Sequence, residues 1–247
     1  MLISVITVNY NNHEGLKRTA QSVLEQTYSP IQYIVIDGGS DDGSADYLKE
    51  KSNHIDYWVS EPDLGIYHAM NKGVKVAKGD YLLFLNSGDH FYSNESVATF
   101  KPWFMKDDKK DLIYGNIQVK AHKDYVKTYP EHLSFSYFVD DTLPHPATLI
   151  KTSCFDHLQY DETLKIVSDW KFFMIGICKW KFSYQYIDQV ISTFYFDGLS
   201  STEPDLVAQE KRQVLHDEFL LSFYFMRIKQ RIKEWLRKLG IKVYYFL

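Results

Sequence analysis

Short apolar runs alternate with amphipathic stretches through the first third of the chain. Leu2–Val8 is a β-rich run, and Asn9–His13 after it is a polar loop. From Glu14 to Glu25, Leu16, Ala20, Val23 and Leu24 fall near one face, which predicts a helix. Tyr28-Ser-Pro30 breaks it, Ile31–Ile36 reads as a second strand, and Asp37–Ser44 is rich in turn formers. Ser44–Lys51 predicts a second helix, Ile55–Ser60 a third strand, and the stretch from about Ile66 to Ala77 a helix ending at Gly79. Asp80–Leu85 is continuously apolar after its first residue, as a strand buried on both faces requires. This βαβαβ alternation predicts an α/β fold with a mostly parallel, Rossmann-like sheet and right-handed crossovers.

The middle of the chain is less regular. Asp111–Val119 and Lys123–Thr128 read as a hairpin, Ala147–Ile150 as a short strand, Asp169–Trp180 as a helix and Phe182–Phe196 as strand-rich. From Pro204 to Leu239 the pattern is helical. The predicted organisation is a domain over 1–203, divided into halves 1–100 and 101–203, with a helical extension over 204–247.

Composition narrows the function classes. The chain has 247 residues, enough for a sizeable core without disulfides or a structural metal. A net charge of −4 excludes a globally basic nucleic-acid binder, so no nucleic-acid partner is expected. Cys154 and Cys178 match no zinc spacing and read as small buried hydrophobes in a reducing compartment. The apolar N-terminus lacks a basic flank and cleavage site, and no apolar run suffices to span a bilayer. A cytoplasmic location is the expectation.

In open α/β sheets, ligands bind beyond the carboxyl ends of the strands. The chemistry-bearing loops fall there: Thr7-Val-Asn-Tyr-Asn-Asn12, Asp37-Gly-Gly-Ser-Asp-Asp-Gly43, Glu61–Lys72 and Leu85-Asn-Ser-Gly-Asp89. Together they offer the hydrogen-bonding groups to hold a sugar nucleotide. No Gly-x-Gly-x-x-Gly, P-loop, Gly-x-Ser-x-Gly or His-Glu-x-x-His motif is present. Asp89 offers a hard carboxylate oxygen to Mg²⁺ or Mn²⁺, although Asn86-Ser-Gly-Asp89 alone also suits a plain turn.

Five stretches in order carry a resemblance to family 2 inverting glycosyltransferases of the GT-A fold. They are Ile3–Asn11, Ser22–Tyr28, Ile34–Gly43, Ala69–Gly73 and Gly79–Asp89; Ser60–Tyr67 resembles the subgroup of bacterial capsule and exopolysaccharide clusters. The resemblance is strong to about residue 90, thinner to about 200, and absent from the C-terminal helix region. It implies that Thr7, Asn9, Tyr10 and Asp37 hold the base and ribose of a nucleotide-sugar donor, a UDP-sugar first. Asp63, Asn71 and Lys72 would close over ribose and diphosphate. Asp89 resembles the last aspartate of the family's metal motif, with Asn86 in its first position and one extra residue between them.

The family places its general base at the start of a helix beyond the acceptor loop. Asp169, in Ser168-Asp-Trp170, is the match; its competing role is helix capping. His145 resembles the acceptor-side loop, and a structural hydrogen bonder is its alternative. Trp170 is a candidate platform for a saccharide, with core packing as the alternative. Phe196–Ser201 resembles a loop near the diphosphate, or is a plain turn. The implied activity is transfer to a saccharide or lipid-linked saccharide in bacterial surface polysaccharide synthesis. A nucleotidyltransferase and a non-catalytic carbohydrate-binding scaffold are the alternatives.

The tail 227–247 differs in charge from the rest. It holds seven Lys/Arg and one acid, a net of +6, while the remaining chain carries −10. Ile228, Ile232, Trp235 and Leu239 share a helical face. Such a helix suits peripheral attachment to an anionic membrane, or packs terminally with a solvated basic face.

Overall fold

The computed structural model describes residues 1–195 and 202–238. The chain divides into two compact units, Met1–Thr202 and Glu203–Leu247. In the first unit the predicted alternation is present: β1 (Ile3–Asn9), α1 (His13–Leu24), β2 (Ile31–Asp37), α2 (Ser44–Glu50), β3 (Tyr57–Ser60), α3 (Ile66–Val76) and β4 (Tyr81–Phe84). All seven residues of β1 and all four of β4 are buried, which explains why these strands read as unbroken apolar runs. Asn12 starts α1 by accepting the Gly15 N–H on its side-chain oxygen at 3.1 Å.

The chain continues through β5 (His90–Phe91), α4 (Lys101–Phe104), β6 (Leu112–Lys120), β7 (Tyr125–Lys127), α5 (Phe135–Asp140), β8 (Thr148–Lys151), α6 (Ser168–Cys178) and β9 (Tyr184–Tyr195). Among the described residues the strands form one sheet in the order β3-β2-β1-β4-β8-β6-β9-β5, with β7 paired to β6 as the predicted hairpin. β3, β2, β1 and β4 run parallel. β8 is antiparallel to β4 and β6, and β5 is antiparallel to β9. The sheet is therefore mixed but mostly parallel.

Two features place the site. The register pairs Asn9 with Asp37 and Asp37 with Ser60, so these three residues form a row across the carboxyl ends of β1, β2 and β3. Helix α6 is apolar nearly all round, with Trp170, Phe172, Phe173, Met174, Ile175 and Ile177 buried. A helix sunk this deeply fixes the position of its first turn, which carries Asp169.

The second unit is α7 (Pro204–Lys238), one helical stretch interrupted at Phe219, whose φ of −136° and ψ of 24° leave helical geometry. No helix among the described residues is long and apolar enough to cross a membrane. Cys154 is buried and Cys178 half-buried, and both are free thiols. Burial pushes the Cys154 thiol up to about 12, so it is inert at neutral pH.

Candidate active site

Asp37 is fully buried at the end of β2, and both of its oxygens are occupied. Oδ1 accepts from Asn9 Nδ2 and Ser40 Oγ, each at 2.6 Å; Oδ2 accepts from Ser60 Oγ at 2.6 Å and Ser40 N at 3.0 Å. Burial alone would raise its carboxyl, but the bonds from Ser40, Ser60 and Asn9 hold it below the ordinary value. Asp37 therefore knits three strand ends together, and the surfaces left for a ligand belong to its neighbours. Tyr10 is largely exposed. A Cβ on Gly38 would meet Asp63 Oδ2 at 2.7 Å and Tyr10 Cδ2 at 3.2 Å, so the tyrosine ring and the Asp63 carboxylate both close on bare backbone. Asn9 Oδ1 is buried without a hydrogen-bond partner among the described residues.

Three other residues expected at the donor are engaged within the protein. Thr7 is buried and donates to Leu85 O at 2.8 Å. Asn71 is buried; its Nδ2 donates to Tyr160 O at 2.9 Å and Glu162 Oε1 at 2.8 Å, and its Oδ1 accepts from Tyr160 N at 3.2 Å. Lys72 Nζ, on α3, lies 2.7 Å from Glu61 Oε1.

The loop after β4 is braced by α1. Thr19 Oγ1 accepts from Gly88 N at 3.0 Å and donates to Asp89 O at 2.5 Å, and Arg18 Nε donates to Gly88 O at 3.0 Å. Asp89 is buried, with Oδ1 accepting from Tyr195 N at 3.4 Å. Asn86 Oδ1 is buried with no partner among the described residues, while its Nδ2 lies 3.3 Å from His145 Nε2. Among the described residues no three His, Cys, Asp or Glu side chains cluster as ligands. An unspent amide oxygen and a carboxylate on one short loop nonetheless fit a hard divalent ion that completes its shell from phosphates and water.

Asp169 stands at the centre. Its Oδ2 lies 3.1 Å from His145 Nδ1, and its Oδ1 lies 3.0 Å from Tyr67 Oη. Its carboxylate accepts the Trp170 N–H of the first helical turn, and it also meets two side chains from outside α6. The residue ahead of α6 is Val167, with no side-chain cap, and Ser168 Oγ is spent on the Asp161 N–H. Burial would raise the Asp169 carboxyl, but the hydrogen bond and charge of His145, the Trp170 N–H and Tyr67 hold it below the ordinary value. Burial likewise opposes a charge on His145, yet Asp169 and then Asp89 raise it. The two shifts have opposite signs, as expected for a mutually stabilising acid–base pair. Trp170 faces elsewhere: it is 2% exposed, and its Nε1 donates to Phe138 O at 2.5 Å, so its ring offers no open platform to a saccharide. Phe196–Ser201, Leu239 and Tyr244–Leu247 lie outside the described residues.

Tyr67, Ser40 and Ser60 were not among the candidates read from the sequence. Tyr67 sits inside Ser60–Tyr67, a stretch that carried the resemblance, yet only its distance to Asp169 reveals what it does. The family model for "Glycosyl transferase family 2" matches residues 4–170. The chain belongs to that family. A glycosyltransferase of Mycobacterium tuberculosis, itself uncharacterised, is 48% identical over 97 residues, spanning 39% of this chain and 37% of that protein. A Mycobacterium bovis protein named PGL/p-HBAD biosynthesis glycosyltransferase is 24% identical over 83% of this chain and 81% of its own length.

Solved structures share the fold. Staphylococcus aureus TarS (residues 1–349) in complex with UDP-GlcNAc superposes with a TM-score of 0.68 at 15% identity, over 88% of this chain and 67% of that one. A mannosyltransferase from Pyrobaculum calidifontis with GDP-Man and Mn²⁺ gives 0.65 at 13% identity, over 90% of this chain and 64% of the other. The sheet and its flanking helices are thus those of the GT-A fold.

Proposed function

We propose that this glycosyltransferase-family chain transfers a sugar from a nucleoside-diphosphate sugar to an acceptor hydroxyl in one inverting displacement, with Asp169 as general base. The observation that carries the reading is the half-buried Asp169 carboxylate, held below the ordinary carboxyl range by His145 and Tyr67 at the first turn of a rigid helix. In the step, the acceptor's O–H proton passes to Asp169 as its oxygen bonds to the anomeric carbon. The opposite bond, from that carbon to the diphosphate, breaks, and the electron pair leaves with the phosphate oxygen. Tyr10 and Asp63 flank the donor's base and ribose over Gly38, while the Asn9–Asp37–Ser60 row keeps that floor in shape. A divalent cation, Mg²⁺ or Mn²⁺, would be held by Asp89 and the Asn86 amide oxygen and would offset the charge of the leaving diphosphate.

UDP-sugars are the first donors to test and GDP-sugars the second, since structural neighbours carry one of each. The acceptor class we infer is a saccharide or lipid-linked saccharide of a bacterial surface polysaccharide, reached from the cytoplasmic face of the membrane. In α7, Leu221, Tyr224 and Phe225 are exposed immediately ahead of the basic tail, and Ile228 is exposed at helical spacing at its start. That combination favours peripheral attachment to an anionic surface.

The test is incubation with UDP-, GDP- and dTDP-sugars, Mn²⁺ and a saccharide acceptor panel. Nucleoside diphosphate release, with product of inverted anomeric configuration by NMR, is expected. Pyrophosphate release from nucleoside triphosphate and sugar phosphate would instead make the protein a nucleotidyltransferase. Donor binding without turnover would make it a carbohydrate-binding scaffold.

A further inference from the structure

Tyr67 sits at the start of α3, on the donor side of the sheet, yet its hydroxyl reaches the base. Tyr67 Oη lies 3.0 Å from Asp169 Oδ1 and 2.5 Å from the Ile166 carbonyl oxygen. A phenol has one proton, so only one of these two acceptors is served at a time. The side chain is buried, and burial together with the Asp169 charge raises its pKa well above 10, so the phenol stays protonated. Asn71, one turn further along α3, fastens the same helix to Tyr160 and Glu162 in the loop that leads into α6. Helix α3 is thereby clamped on both sides of the segment that delivers Asp169.

We propose that Tyr67 is a positioning residue for the base, its hydroxyl turning between Asp169 and Ile166 as the carboxyl gains and loses the acceptor's proton. This rests on the reading of Asp169 as base. With the carboxylate ionised, the phenol donates to Oδ1. Once the acceptor's proton has moved to the carboxyl, that group becomes a donor to Tyr67 Oη, and the phenol proton turns to Ile166 O. No bond within Tyr67 breaks, and the phenol proton has an acceptor in both protonation states. A buried carboxyl is otherwise costly in one state or the other. The helix carrying the donor-side residues would in this way also hold the base in register with the donor.

Among the described residues, four groups bear on the Asp169 carboxyl: Tyr67 from α3, His145 from the turn before β8, the Trp170 N–H from α6, and the Tyr160 phenol from the loop ahead of α6. Tyr67 has a second acceptor in reach to turn to, the Ile166 carbonyl oxygen.

The test is the titration of Asp169 itself, by carboxyl ¹³C NMR of the full chain carrying ¹³C-labelled aspartate. The Asp169 signal is assigned as the one missing in Asp169→Asn. Tyr67→Phe removes the donor and is expected to move the midpoint up by about one pH unit, the scale of one hydrogen bond to an ionised group. Fluorotyrosine incorporated at position 67 keeps the shape and strengthens the donor, and is expected to move the midpoint down. The second variant carries the test should Tyr67→Phe not fold. A midpoint unmoved in the folded variants would overturn the proposal and reduce Tyr67 to core packing. The titration needs no substrate, so its result is independent of whether the transfer reaction is found.

Discussion

Four hydrogen bonds converge on Asp37, three from side chains of other residues and one from the Ser40 backbone. Replacing it with alanine strands buried donors on Asn9, Ser40 and Ser60. Asp37→Ala is therefore expected to cost about 3 kcal/mol of stability in urea unfolding, because each unpaired buried polar group carries its desolvation penalty. The pH dependence has a definite sign. The folded-state pKa is depressed, so the Asp37 contribution is present above the unfolded carboxyl's pKa and is lost as pH falls through the lower folded value. The alanine variant should lack that part of the acid limb of the wild-type stability profile. Asp37 also shows what single residues in the sequence disclose. A polar residue at a strand's carboxyl end marks a candidate site in an open α/β sheet. Where its hydrogen bonds go depends on register with strands far away in the chain, and for Thr7, Asp37 and Asn71 they go to the protein. Asp169 was singled out by its resemblance to the family's base position, with an apolar run after it, whereas Tyr67 meets it across 102 residues of chain separation.

At the scale of elements, close approach decides where glycine is required. Gly73 in α3 faces β1, and a Cβ there would meet Ile6 Cγ2 at 2.5 Å. Ile6 is fully buried and β-branched, so it cannot swing aside. Gly73→Ala should push α3 off the sheet and lower stability by about 1–3 kcal/mol in thermal or urea unfolding, although alanine is the better helix former. An unchanged stability would mean that α3 packs less closely than the structure shows. Strands and helices in the first half were readable because continuous apolar runs and 3.6-residue spacing are strong signals. β5, of two residues, and α5, of six, are too short to show a period. α5 is announced only by its cap, Ser134 Oγ accepting from Tyr137 N at 3.1 Å. β8 and β5 run against the predicted parallel order, because strand direction follows from connections that local patterning does not encode.

For the molecule as a whole, charge is unevenly divided: a tail of +6 on a remainder of −10. Each basic residue near an anionic lipid surface contributes about 1 kcal/mol, screened by salt. The full chain should float with anionic vesicles at low ionic strength and release as salt rises. The triple variant Arg227→Glu, Lys229→Glu, Arg231→Glu should stay with the soluble fraction, and equal flotation of both would return the tail to a packed terminal helix.

The proposed chemistry itself turns on Asp169. Once a donor from the nucleotide-sugar panel has been found, its Mn²⁺-dependent binding and its turnover are measured side by side for wild type and Asp169→Asn. The amide keeps the shape but cannot take the acceptor's proton, so binding should be retained while turnover falls by about 10²-fold or more. An Asp169→Asn variant that turns over at the wild-type rate would contradict the assignment of the base.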